Sequence, residues 1–247
     1  MREEDFESLY QLEENYWWFA AMRRVTGALV GDVLQSGRLR ILDAGCGVGY
    51  NLLNYQRQGH EVFGFDLAPE ALDRARRWGV TEIAEASVTE IPFVSNAFDL
   101  VFSFDVLEQL PVAAGSRAVA EMSRVLRPGG TLFIRTPAFE WLRSSHDEEL
   151  KSVHRFTAAE LGGMAEAAGL EVRWSAYANM FLFPVALVTR MLKRVGIGGG
   201  SDVRPLPRAL EWINPIFREI LASEASLIRR NVRAPLGLSA ICVARKP

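Results

Sequence analysis

At 247 residues, with 49% hydrophobic and 23% charged side chains, the chain is long enough to bury one large core. Its 28 basic and 30 acidic residues leave a formal net charge of −2, so no broad basic field is available to hold a nucleic-acid backbone. Cys46 and Cys242 give no disulfide framework, the N-terminal Met-Arg-Glu-Glu-Asp is acidic where a secretory leader is basic, and the apolar run Met180 to Val188 is too short for a bilayer; a cytoplasmic protein is expected.

Residues 3 to 35 carry two helical stripes, Phe6, Leu9, Tyr10 and Leu12, then Val25, Leu29, Val33 and Leu34. Between them lies the aromatic cluster Tyr16-Trp17-Trp18-Phe19, read either as rings that staple the helices to a sheet or as a cap over a ligand. The apolar run from Ile41 breaks into a loop with Gly45, Gly47 and Gly49, and a helix through Leu52, Leu53 and Tyr55 ends at Gly59. Val62 to Asp66 is a second strand, Pro69 to Trp78 a helix closed by Gly79, and Val80 to Ala84 a third strand. Phe98 to Phe104 is apolar on both faces, as a central parallel strand must be. A helix over Ala113 to Leu126 turns through Arg127-Pro128-Gly129-Gly130 into a fifth strand, Thr131 to Arg135. Thr157 and Glu160 have capping-box spacing, so a helix starts there, stops at Gly169 and leads to a sixth strand, Leu170 to Trp174. Apolar segments at 180–192 and 209–228 flank a glycine run at 196–201, read as a linker, and Leu238 to Ala244 is the last strand.

Strand, glycine loop and helix N-terminus together hold nucleotide-like ligands at a sheet edge. A dinucleotide fingerprint wants glycine or alanine where this chain has Tyr50. A pyrophosphate beside Asp43 would also suffer like-charge repulsion. A ligand with positive charge and no phosphate fits better, and S-adenosylmethionine is one. Asp66, ending the second strand, stands where an acid accepts hydrogen bonds from ribose hydroxyls.

These residues, with Ser87-Val88, Phe98-Asp99-Leu100-Val101, Leu107-Glu108 and Arg124-Val125-Leu126-Arg127-Pro128-Gly129-Gly130, resemble the class I S-adenosylmethionine-dependent methyltransferases of small-molecule type. The likeness covers roughly residues 38 to 175. It implies an α/β, Rossmann-like doubly wound sheet of seven strands, mostly parallel with an antiparallel last strand and helices on both faces. On that frame residues 1–37 are a helical cap, 38–177 the cofactor-binding core, 178–235 a helical insertion serving as acceptor pocket or lid, and 236–247 the closing strand. The resemblance also implies a cofactor site of Asp43, Gly45, Cys46, Gly47, Asp66, Leu67, Ser87, Val88, Phe104 and Asp105, with Arg23, or equally Arg24, meeting the cofactor carboxylate. Ser87 stands where the family places an aspartate toward adenine, and a hydroxyl accepts more weakly and at shorter reach. Asp99 is expected to be a structural acid, and Gln109 replaces a histidine that many relatives carry, so no base acts from that position.

The expected reaction is methyl transfer to an oxygen, or else a nitrogen, of a small-molecule metabolite, leaving S-adenosylhomocysteine. Two other classes are weighed beside it: a non-catalytic S-adenosylmethionine-binding protein, and a nicotinamide-dependent oxidoreductase, which Asp43 and Tyr50 disfavour. A base is needed only if the acceptor must lose a proton. Of the three histidines, His60 reads as structural, while His146 and His154 flank the loop after the fifth strand; His154 is the chosen candidate, pinned by the following helix. Glu108 and Tyr177 are further candidates. The histidines and cysteines lack metal-ligand spacing. Contact of Phe181, Leu182, Phe183 and Leu187 with a membrane surface is a secondary reading.

Overall fold

The computed structural model describes residues 16–143, 147, 152–194 and 214–247. The first expected helix, the glycine run at 196–200 and His146 lie outside the described residues. Seven strands form one sheet: β1 (Arg40–Ala44), β2 (Glu61–Asp66), β3 (Ile83–Glu85), β4 (Phe98–Phe104), β5 (Leu126–Pro137), β6 (Glu171–Ala178) and β7 (Ser239–Arg245). Their order is β3-β2-β1-β4-β5-β7-β6, with β7 antiparallel to both neighbours and the other pairs parallel. This is the expected doubly wound sheet, whose strand order reverses between β1 and β4.

Period-two alternation sorts the strand side chains into two cores. Leu42, Val101, Leu132, Ile134, Ala240 and Cys242 face one layer, and Ile41, Leu100, Phe102, Phe133, Ile241 and Val243 face the other. The first layer is closed by α4 (Val112–Val125) and α5 (Ala158–Ala167). The second takes α1 (Trp17–Leu34), α2 (Tyr50–Arg57), α3 (Pro69–Arg77) and α7 (Asn214–Arg229), which bury Met22, Leu52, Leu72 and Leu221 there. Tyr55 of α2 stacks on Phe102 with centroids 4.9 Å apart and planes within 3°. Burying one such aromatic side chain is worth about 2 to 3 kcal/mol.

Within the described residues of the segment expected as an insertion there are two helices. α6 (Phe183–Arg194) leaves the end of β6, and α7 returns along α1, joined by the Arg24–Glu219 ion pair and the Trp17–Phe217 ring contact at 5.3 Å. Glu224 of α7 fastens this layer to β6 by accepting the Asn179 and Phe181 amides at 2.7 and 3.1 Å.

Three local expectations are corrected. Trp17, Trp18 and Phe19 lie within the first turn of α1 instead of linking two helices. The third strand is Ile83–Glu85 because the Val80 amide still closes α3 on the Ala75 carbonyl, and pairing with β2 begins only at Gly64↔Ile83. The Arg127-Pro128-Gly129-Gly130 segment belongs to β5: Gly129 N donates to Lys246 O and Lys246 N to Gly130 O, each at 2.9 Å, so the chain beyond β7 holds it extended. The capping box is present, with Glu160 N donating to Thr157 Oγ1 at 3.2 Å and Thr157 N to Glu160 Oε2 at 2.7 Å.

Candidate functional site

The strands end together beside the reversal of strand order, and the expected site residues gather there. Gly45 N and Cys46 N both donate to the Phe65 carbonyl at 2.9 Å, which folds the loop back over β2. Gly45 has φ +86° and lies against Val106, so any side chain there would overlap that valine. Gly47, at φ +51°, has no heavy atom within 4 Å of where a Cβ would stand; it faces open space across the loop. Its amide donates to Asp66 Oδ2 at 2.8 Å, and Ala68 N donates to Asp66 Oδ1 at 2.9 Å. Each carboxylate oxygen keeps a lone pair for a further donor. Leu67 beside it is 65% exposed, an apolar surface next to the carboxylate.

Asp43 is buried in β1, opposite Gly64 and Phe102. Together with Arg23 and Arg135 it sets the potential at the Tyr55 hydroxyl, whose pKa burial raises well above the usual tyrosine range. Arg23 lies 5.0 Å over the ring of Tyr50, the first residue of α2, whereas Arg24 turns to Glu219. The structure thus separates two arginines that the sequence left equal. Val88 is buried, and the Ser87 hydroxyl is engaged by its own turn, 2.8 Å from Thr89 Oγ1 and accepting Thr89 N at 3.2 Å.

At the end of β4, Asp105 takes φ +54° and forms an ion pair with Arg135. The Arg135 guanidinium is sandwiched 4.9 Å from Trp18 and 5.0 Å from Phe104. Arg135 was read in sequence only as the end of a strand; its signal is a charge closing the apolar run Leu132-Phe133-Ile134. Glu108 is 1% exposed and accepts Thr136 Oγ1 at 3.0 Å. Burial first, and the Asp105 carboxylate second, push its carboxyl up to about 8, so at neutral pH it holds its proton. The Glu108 carbonyl accepts the amides of Val153 and His154 at 2.6 and 3.1 Å. The His154 ring stands edge-on to Phe156 at 4.6 Å, with Nε2 3.4 Å from Glu160 Oε1, so the capping box pins it as expected.

Other residues fall outside this edge. His60 Nδ1 accepts the Leu39 amide at 3.3 Å before β1, and burial holds its pKa below the ordinary histidine value. Asp99 accepts the Arg40 amide at 2.7 Å and pairs with Arg127, the structural role expected of it. Tyr177 is tied by its hydroxyl to Ala158 N at 3.2 Å. Among the described residues no group of three metal-ligating side chains occurs, and no helix is long and apolar enough to cross a membrane.

The residues at this edge fit S-adenosylmethionine. Gly47 leaves room for a ligand against the backbone, and each Asp66 oxygen keeps a lone pair beyond the amide that it already accepts. Residues 42–134 match a family described as a methyltransferase domain. A Mycolicibacterium smegmatis protein named "probable S-adenosylmethionine-dependent methyltransferase" is 32% identical over 163 residues, covering 65% of this chain and 61% of that one. A malonyl-[acyl-carrier protein] O-methyltransferase of Serratia marcescens is 36% identical over 124 residues, covering 48% of this chain and 47% of its own length. The chain therefore spans about half to three fifths of these curated relatives. The crystal structure of a SAM-dependent methyltransferase from Archaeoglobus fulgidus superposes with TM-score 0.61 at 14% identity, over 96% of this chain and 99% of that one, and shows the same fold. Motif order, sheet topology and these likenesses agree, and the chain belongs to the class I S-adenosylmethionine-dependent methyltransferases.

Proposed function

We propose that the protein transfers a methyl group from S-adenosylmethionine to an oxygen of a small-molecule metabolite in the cytoplasm. The observation that carries this reading is the cradle between Gly47 and Asp66, open above the loop and lined by a carboxylate with free acceptor positions. Asp66 takes the ribose hydroxyls, Gly45, Cys46 and Gly47 line the loop, and Leu67, Ser87 and Val88 flank the adenine. Asp43, Phe104 and Asp105 face the methionine half, with Arg23 toward its carboxylate. S-adenosylmethionine, when bound, supplies a methyl group activated on a sulfonium that leaves as a neutral thioether.

The chain's own residues align the acceptor, exclude water and take up the proton that a hydroxyl must lose. His154 is the proton acceptor in this reading, because its backbone is fixed to Glu108 and its ring to the α5 cap. The protonated Glu108 carboxyl is a poor base and is engaged with Thr136 Oγ1, while the Glu108 backbone carbonyl holds the Val153 and His154 amides. In this reading the helix Trp17–Leu34, whose Arg23 lies over Tyr50 and whose Trp18 lies on Arg135, is the cap on one side, and the insertion of residues 178–235 shapes the acceptor pocket. The O-methyltransferase activity in the name of the Serratia relative favours oxygen over nitrogen.

Calorimetric titration with S-adenosylhomocysteine, with NAD as control, tests the cofactor. Micromolar binding of S-adenosylhomocysteine alone is expected, and Asp66→Ala should weaken it at least tenfold, the loss of about one charge-assisted hydrogen bond. Full affinity in Asp66→Ala, or tighter binding of NAD, would overturn the assignment.

A further inference from the structure

One buried guanidinium touches three separate segments beside the glycine loop. Arg135 closes the apolar run of β5 and is 6% exposed. Its Nε donates to Asp105 Oδ1 at 3.4 Å and its Nη2 to Oδ2, while the Asp105 amide donates to the Arg135 carbonyl at 2.9 Å. One residue thus grips both the side chain and the backbone of the other. The guanidinium also lies over the Trp18 ring of α1 and the Phe104 ring, at 4.9 and 5.0 Å.

The fold itself does not call for this charge. A buried ion pair often gives back no more than its desolvation costs, and an apolar side chain would continue the Leu132-Phe133-Ile134 run without that cost. What the pair fixes is orientation. Asp105 takes φ +54°, in the left-handed region, and its side chain keeps 33% of its surface exposed. The next residue, Val106, lies so close to Gly45 that a Cβ on that glycine would overlap it, so Asp105 abuts the loop. Arg135 also acts, with Asp43 and Arg23, on the Tyr55 hydroxyl of the helix that follows the loop.

We propose that Arg135 is a positioning residue for the cofactor, which holds the Asp105 carboxylate toward the methionine half and makes that hold depend on Trp18 of the N-terminal helix. A planar guanidinium can do both at once, pairing with a carboxylate along its edge while its face lies on an indole. Trp18 therefore acts on the cofactor through Arg135, and the seating of α1 and the affinity for the cofactor rise and fall together. The inference rests on the methyltransferase reading and adds a residue pair that governs the same site.

The test is a mutant cycle on the full chain, with S-adenosylhomocysteine affinity read by calorimetry and the urea midpoint of each variant measured beside it. Trp18→Ala should weaken binding roughly tenfold, and Trp18→Phe, which keeps a ring against the guanidinium, should restore most of it. Arg135→Lys keeps the charge but loses the planar fork, and should weaken binding by a similar factor. The double variant Trp18→Ala with Arg135→Lys should bind no more weakly than Arg135→Lys alone, because both changes break one path. Native affinity in either single variant, losses that multiply in the double variant, or no recovery in Trp18→Phe would overturn the proposal and leave the cofactor reading standing. A loss of affinity in Trp18→Ala that only follows a fallen urea midpoint would make the ring structural and overturn it as well. If the native chain does not bind S-adenosylhomocysteine, both readings fall.

Discussion

Replacing Glu108 with glutamine should remove a pH dependence from the stability of the fold. The carboxyl is raised from 4.5 to about 8, first by burial and then by Asp105. A carboxyl whose folded pKa lies above its unfolded value stabilises the fold fully below the unfolded pKa, and that stability is lost as pH rises through the folded one. The window therefore runs from about pH 4.5 to about pH 8. Within it the slope is about 1.4 kcal/mol per pH unit, and the whole shift amounts to roughly 5 kcal/mol. Because the side chain is 1% exposed, solvent screening takes little from that figure. Glutamine reproduces the shape and the neutral hydrogen bonding of the protonated acid, and Thr136 Oγ1 can still donate to it. Urea unfolding followed by tryptophan fluorescence, on both proteins at several pH values across the window, isolates the term, since every other titrating group is shared. The stability of the native chain minus that of Glu108→Gln should fall steadily across the window. Parallel curves, or a difference that rises with pH, would mean that Glu108 is charged in the fold and that the burial argument is wrong.

Arg155 and Asp147 form a buried bidentate pair, at 2.6 and 3.0 Å, with Arg155 also donating to the Ala138 carbonyl at 3.1 Å. Arg155→Ala takes the guanidinium away from a buried carboxylate and should cost about 3 to 5 kcal/mol in chemical denaturation, whereas Arg24→Ala at the exposed Glu219 pair should leave the stability nearly unchanged. His154→Gln should lower kcat roughly a hundredfold or more with S-adenosylhomocysteine affinity unchanged; a parallel loss of both would assign the ring to structure instead.

The elements legible in the sequence are those whose cause is local. Phe98–Phe104 has the same bounds in the fold because an apolar run interrupted only by Asp99 and Ser103 reads as a central strand, and the Thr157–Glu160 box marks its helix by chemistry within four residues. What was not legible depends on partners far along the chain. Arg23 and Arg24 are adjacent, yet about 100° of helical rotation sends one to Tyr50 and the other to Glu219, 195 residues away. The reach of β5 through its proline and glycines was hidden because Lys246 is what holds them. Arg135 pairs with Asp105 only because β4 and β5 end side by side, and the raised Glu108 pKa follows first from burial and then from Asp105, both set by the assembled fold.

The place of β7 between β5 and β6 has a consequence for synthesis. β6 ends at Ala178 and the strand that joins it to the sheet starts at Ser239. At about 5 to 20 residues per second, the ribosome completes β6 several seconds before its neighbour exists. During that interval both edges of β6 are open to pairing with other chains. The strand carries Glu171 and Arg173 among its outward residues, the kind of charge that blunts an unpaired edge. Translation speed across the helical insertion thus sets how long a nascent chain must hold an unfinished sheet.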